Sequence, residues 1–329
     1  MAPAREGAEE KLSPRLSHLD IPLVGFGRSR VRPVYLLLGH PDDAWCRRVR
    51  GVLEARGNQT HMIANPFVHP ARFSWRLTSA ESISELADDD GFSIRGDQIA
   101  GVFVLNAGWV EPAGWELADL AYMQAESQAA LLAWLWSLSC PMVNRYPSAL
   151  WYRSQAPLLA WQPLLRRCGV PVLETLITNV EAEARDFDGR RTGAESKGIV
   201  YAPLTSDARY LVSSEQEWRG LSSMQSCAPT CLTYPHGSAS IACVVGRRVI
   251  WEGEPASGAT LVEPALHRFM AKTGLSLAEF AFASTDAGLS AVAVETRPNL
   301  GHFHDATQQV ILEGIVDLLT LRERVAVPA

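Results

Sequence analysis

The stretch from Asn144 to Asn179, NRYPSALWYRSQAPLLAWQPLLRRCGVPVLETLITN, is where the chain changes its structural grammar. Within it, LLAWQPLLRRCG carries apolar residues at helical spacing, with Pro163 as an internal kink and Gly169 as the residue past the helix end. PVLETLITN then reads as strand and turn, and NVEAEARDF as a further helix. The segments on either side show which change this stretch marks.

Upstream, VYLLLG is a continuous apolar run, and DDAWCRRVRGVLEARG follows with Val49, Val52 and Leu53 at helical spacing. THMIA resumes an extended run, so a βαβ unit is expected. RFSWRLT and FSIRGDQ read as short strands of a polar excursion, IAGVFVLN as another buried strand. WELADLAYMQAESQAALLAWLWSL is expected to be a long helix with Leu117, Leu120, Ala121, Ala125 and Leu132 on its apolar face, and PMVN a closing strand. Such alternation predicts a largely parallel sheet covered by helices on both faces.

Downstream, IVYAPL, ARYLVSS, TCLTYP and the hairpin SIACVVGRRVIWEG are β-like, after a polar loop DGRRTGAESKG. LVEPALHRFMAKTG is a helix, and EFAFASTDAGLSAVAVET is a hairpin turning at Asp286-Ala287-Gly288. DATQQVILEGIVDLLTLRERV is a closing helix, with Asp305 expected as its N-cap. The fold class is therefore α/β followed by α+β.

With 329 residues, 47% of them hydrophobic and 20% charged, the chain can bury a sizeable core, as two domains or one elaborated one. A net charge of -6 without a long Lys/Arg run argues against nucleic acid and against a polybasic membrane contact. The richest apolar stretch, AALLAWLWSLSCPMV, is too short to span a membrane and is broken by Pro141. The opening residues are charged and lack an apolar centre, so a mobile leader is expected rather than a secretory signal. Six scattered cysteines suit a reducing cytoplasm and buried small-hydrophobe roles. Cys227, Cys231 and His236 form a candidate zinc cluster if His302 or His304 supplies a fourth ligand, although the spacing is looser than a zinc knuckle and favours a plain loop.

GHPDD, residues 39 to 43, admits two readings. It resembles the zinc motif of de-N-acetylases, but the glycine pair and later His-x2-His of that family are missing. The simpler reading has Pro41 ending a strand and Asp42 or Asp43 capping the next helix, its charge facing the positive end of the helix dipole. The second reading is favoured.

A resemblance covers far more of the chain. Asn144, Pro147, Gly169, Pro171, Thr175, Thr178 and Asn179 come in the order found at the start of the central domain of ATP-grasp ligases. The branch they resemble contains ribosomal-protein glutamate ligases and graspetide macrocyclases. DDAWCRRVRGVLEARG is similar to the family's opening helix, VVGRRVIWEG to its core hairpin and AVAVETRPN to its metal-binding strand. The resemblance thus runs from about residue 34 to 322. It implies an ATP-grasp-like fold, with a leader over 1–30, an N-terminal pre-ATP-grasp βαβ domain over 31–147, central and C-terminal subdomains over 148–322, and a tail over 323–329.

The resemblance also implies a reaction: ATP phosphorylates a carboxylate, an amine attacks the acyl phosphate, and cations with two magnesium ions hold the phosphates. Several of the expected groups are replaced. Ala202 stands for one phosphate-binding lysine and Leu158 for the other. Thr233 and Tyr234 occupy the adenine hinge, and Ile241 replaces an arginine. Glu295 matches a magnesium ligand, Glu279 stands near another, and Arg297 replaces the usual asparagine. Lys197, Arg247 and Arg297 are the candidates to restore lost charge.

Three functions stay open. The chain is a ligase-like enzyme acting on a peptide or small-molecule carboxylate and amine with a divergent ATP and Mg2+ site, or an inactive homologue that partners an active ligase. In the third, the cleft performs non-ATP chemistry through His236, Glu279, Glu295, His302 and His304, where imidazole serves as general base or ligand. Family resemblance makes a homodimer the expected assembly.

Overall fold

In the computed structural model, the residues described are 33–105, 114–151, 158–190, 198–203, 208–235, 239–254, 257–285 and 288–321, the side chain of Leu158 excepted. Val34–Leu38 (β1) is buried at every position, as a parallel strand covered on both faces must be. Asp43 then caps Ala44–Ala55 (α1), its carboxylate accepting from the amides of Trp45 at 2.8 Å and Cys46 at 3.2 Å. The helix buries Trp45, Cys46, Val49 and Leu53. Gln59–Ile63 (β2) returns parallel to β1 and completes the βαβ unit.

The polar excursion contains one strand more than the sequence suggests. Arg72–Leu77 (β3), Ser82–Ala87 (β4) and Ser93–Arg95 (β5) form a small antiparallel sheet. Ile99–Val104 (β6) rejoins β1 in parallel. Leu117–Ser137 (α2) then leads to Met142–Val143 (β7), so the first sheet runs β2-β1-β6-β7 with every pairing parallel. The buried side of α2 differs from expectation. Ser127, Leu131, Trp134 and Leu135 face the core, whereas Leu117 is 84% exposed. The core reaches only the C-terminal half of this helix, where the Trp134 indole donates to Ser84 Oγ at 3.0 Å.

Ser148–Trp151 (α3) and Leu158–Cys168 (α4) lead into the second half. Gly169 follows with a φ of 80°, a left-handed backbone that glycine adopts without steric cost. Thr175–Thr178 (β8), Glu181–Gly189 (α5), Ile199–Tyr201 (β9) and Tyr210–Val212 (β10) come next. Glu215–Gln225 (α6) is a helix that hydrophobic spacing does not reveal. Its signal is the capping box, in which Ser214 Oγ accepts from the Glu217 amide while Glu217 accepts from the amides of Ser213 and Ser214. These bonds pull the Glu217 carboxyl down to about 2. Thr230–Thr233 (β11) completes an antiparallel sheet in the order β10-β9-β11-β8.

The last sheet is also antiparallel. It consists of Ala239–Val245 (β12), Arg248–Trp251 (β13), Leu277–Thr285 (β14) and Gly288–Glu295 (β15), in the order β13-β12-β14-β15. Ala259–Thr273 (α7) precedes β14, and Asp305–Thr320 (α8) closes the described chain. Asp305 is the first residue of α8; the N-cap position belongs to His304.

One core cluster joins the two halves, drawing Leu36, Val104 and Trp134 together with Trp161, Phe269 and Phe280. A second lies between the first sheet and α8, where Leu37, Leu53 and Phe103 meet Ile311, Ile315 and Leu319. A third, with Phe187, Trp218 and Leu232, belongs to the sheet that contains β11.

Candidate functional site

The loop from Thr296 to His304 carries Arg297, His302 and His304 and folds back onto Glu279. Cross-strand register brings Glu279 of β14 directly opposite Glu295 of β15, so the two carboxylates share a face. Glu279 is only 3% exposed. Its Oε2 accepts from the Asn299 amide at 2.7 Å, and its Oε1 lies 2.6 Å from His302 Nδ1. Asn299 Oδ1 accepts from the Gly301 amide at 3.0 Å, and Asn299 Nδ2 faces His302 Nε2 at 3.2 Å. A burial-driven hydrophobic pattern predicts none of these bonds.

Other elements fix the same loop. The Trp45 indole at the start of α1 donates to Pro298 O at 2.7 Å, which brings the GHPDD segment and the NLGHFH segment side by side. Gln308 Nε2 on α8 donates to Leu300 O at 2.8 Å. His304 binds Glu252 through both its backbone amide and Nδ1, so it is drawn away from the Glu279 and His302 pair. Hydrogen bonding to Glu252 and the charge of that carboxylate raise the His304 pKa above its ordinary value.

Arg297 sits at the exit of β15 with its Nε buried and without a hydrogen-bond partner among the described residues. It approaches the Tyr146 hydroxyl. Burial pushes that phenol up, while Asn144 and the positive charge of Arg297 oppose the shift. Asn144 itself is 1% exposed and spends its side chain on backbone groups of Ser276, Leu277 and Thr296.

The hinge candidates lie elsewhere, on the β10-β9-β11-β8 sheet. The Ala202 amide donates to Cys231 O at 2.9 Å, continuing the β9 to β11 pairing. Thr233 Oγ1 donates to Glu174 O at 3.2 Å. Tyr234 stacks on Phe187 at 4.4 Å and donates its hydroxyl to Phe187 O at 2.9 Å. Ala202 and Thr233 thus tie their own sheet to its neighbouring segments, and Tyr234 holds α5 against it. Ala202 offers no charge to a phosphate. Leu158 opens α4, but its side chain lies outside the described residues, as do Lys197 and His236.

The fit of a divalent cation can be tested on these contacts. Magnesium requires near-octahedral oxygen ligands and draws on free carboxylate lone pairs. Here the buried Glu279 accepts one N–H on each oxygen, and Arg297 follows two residues after Glu295. Among the described residues no three His, Cys, Asp or Glu side chains converge as a metal would need. The donor set does not fit. The GHPDD segment is no metal cluster either, since His40 and Asp42 are exposed and Asp43 is the helix cap. Cys227 and Cys231 are free thiols, Cys227 exposed and Cys231 buried.

No protein-family profile matches the chain, and no curated protein matches it. Solved structures do. The macrocyclase MdnC from Microcystis aeruginosa MRC, bound with precursor peptide MdnA, superposes with a TM-score of 0.66 at 16% identity, covering 87% of this chain and 99% of that one. A RiPP-associated ATP-grasp ligase of Chryseobacterium gregarium, in complex with ADP and a leader and core peptide, gives 0.67 at 14% identity, covering 89% and 99%. The ATP-grasp ligase PsnB with minimal precursor, Mg and ADP gives 0.64 at 18% identity, covering 86% and 98%. This chain has the ATP-grasp fold over nearly its whole described length.

Proposed function

We propose that the chain is a ligase-like protein of a peptide-tailoring pathway, of the carboxylate–amine ligase lineage, with a nucleotide site that departs from that lineage. The observation that carries this reading is the near full-length fold likeness to ligases solved with precursor peptides. A fold alone does not define a substrate. The peptide assignment therefore rests on the shared occupant of those relatives, and the altered nucleotide site on Ala202 and on the engaged Glu279. In this reading the chain works in the cytoplasm as a homodimer. Among the described residues no helix is long and apolar enough to cross a membrane.

The engaged Glu279 favours a second reading, in which the chain binds peptide without turnover and serves an active homologue as partner subunit. One experiment separates the two. A displayed peptide library is panned against the immobilised full chain, the enriched peptides are synthesised, and each is incubated with the chain, ATP and Mg2+. A ligase yields a product lighter by one water for each amide or ester formed, read by mass spectrometry. A partner subunit yields saturable binding by fluorescence anisotropy and no change in mass. Failure to enrich any peptide over an unrelated protein of equal charge defeats both.

A further inference from the structure

We infer that Glu279 is the acceptor end of a closed hydrogen-bond relay within this chain, and that it is not a ligand for a divalent cation. The inference rests on the ATP-grasp reading only for the expectation that it contradicts, namely that magnesium accompanies the nucleotide in a relative such as PsnB.

The relay can be followed donor by donor. The Gly301 amide can only donate, and it donates to Asn299 Oδ1 at 3.0 Å. That bond fixes which end of the Asn299 amide is oxygen and turns Nδ2 toward His302 Nε2, 3.2 Å away. An NH2 group has no lone pair to offer, so Nε2 must accept. The ring proton of a neutral imidazole then resides on Nδ1, which donates to Glu279 Oε1 at 2.6 Å. The second carboxylate oxygen receives the Asn299 backbone amide at 2.7 Å. An imidazolium would set an Nε2–H against the Asn299 NH2 group, donor facing donor. The array therefore specifies one tautomer, and with it a buried carboxylate whose two oxygens each accept an N–H from the protein.

Such a carboxylate resists a metal for two physical reasons. Its remaining lone pairs lie in a site where Glu279 is only 3% exposed, so a divalent cation reaching them would have to shed its water. Nor would protein ligands replace that water, since among the described residues no group of three His, Cys, Asp or Glu converges to hold a metal. The relay instead serves position: it pins the Asn299 to His302 turn onto β14, 20 and 23 residues back along the chain.

The test uses the full chain labelled with 15N at histidine. Long-range proton–nitrogen correlation reads each imidazole tautomer, and His302→Gln assigns the His302 signals by their loss. The expected result is a neutral Nδ1–H imidazole whose shifts stay fixed when Mg2+ is added, with ADP or without it. An Nε2–H tautomer, or a saturable Mg2+-dependent shift of His302, overturns the inference. Mn2+ binding read by electron paramagnetic resonance supplies the second measurement. Glu279→Gln is expected to leave Mn2+ affinity unchanged, and a wild-type chain that binds no Mn2+ agrees equally; a weakening by about tenfold or more overturns the inference. The same variant should lower Tm by about 3–6 °C, because a charge-assisted acceptor is lost in a large chain. If that variant fails to fold, the wild-type tautomer decides alone. Peptide binding is measured separately, so the functional reading can fail while the relay stands, and the reverse.

Discussion

Asn144 and Leu277, 133 residues apart in the chain, exchange two hydrogen bonds: Asn144 Nδ2 donates to Leu277 O at 2.8 Å, and the Leu277 amide donates to Asn144 Oδ1 at 2.7 Å. One side chain thus does for the start of β14 what a neighbouring strand does elsewhere, and it ties the end of the parallel sheet to the strand that carries Glu279. Asn144→Ala removes this pair along with the bonds to the Ser276 amide and Thr296 O, leaving buried backbone groups without partners. The expected cost is about 3–5 kcal/mol, seen as a fall in the denaturation midpoint with the m-value unchanged.

Trp45 tests the link between α1 and the site loop. Trp45→Phe keeps most of the buried ring but loses the indole donor, orphaning Pro298 O in a buried position. A loss of about 1–3 kcal/mol is expected. Hydrogen exchange should quicken in the Asn299 to His304 amides well before it changes in the parallel strands, and uniform quickening would argue against a local anchor.

Gly198 opens β9 with a φ of 82°, and a Cβ built there would lie 2.2 Å from Val212 O. That oxygen is backbone in the paired strand β10 and cannot move aside alone. Gly198→Ala should therefore cost at least about 2 kcal/mol from left-handed strain, with the clash added to it. The measurement is hydrogen exchange of the β9 and β10 amides together with the overall denaturation midpoint. An alanine variant as stable as the wild type would contradict the geometry.

The His304 and Glu252 pair sets a pH window. His304 is raised above 6.5, so its contribution is complete below that pH and is lost as pH rises through the folded value. Glu252 lies below its ordinary 4.5: burial pulls it up, but hydrogen bonds from the His304 side chain and backbone outweigh that pull. Its contribution is lost as pH falls through its folded value. The Tm difference between wild type and His304→Ala should thus be full between pH 4.5 and 6.5 and fade on both sides. A difference that does not vary with pH would rule out the pair as its source.

The periodic elements were legible because burial imposes its period on the sequence. VYLLL had to be covered on both faces, and the Ala44–Ala55 helix shows its buried residues at helical spacing. The ATP-grasp order of motifs was legible too, although Asn144, the first of them, gives no hint that its partners lie on β14. One element escaped, and another was recognised as a helix but assigned the wrong buried face. Glu215–Gln225 is polar, and only its Ser214 and Glu217 capping box marks it. Leu117–Ser137 is apolar nearly all round, so its composition cannot say which side the core will take. The contacts of Glu279 were illegible in kind, because nothing on its strand shows that the loop carrying His302 returns to it.

The packing of α8 on the first sheet has a consequence for synthesis. Leu37, Leu53 and Phe103 leave the ribosome long before Ile311, Ile315 and Leu319, which cover them. Throughout that interval the nascent chain carries an apolar patch that its covering helix cannot yet shield. Chaperone demand is therefore built into the order of the gene, and a frameshift that deletes α8 would send the product to proteolysis or aggregates whatever the fate of its cleft.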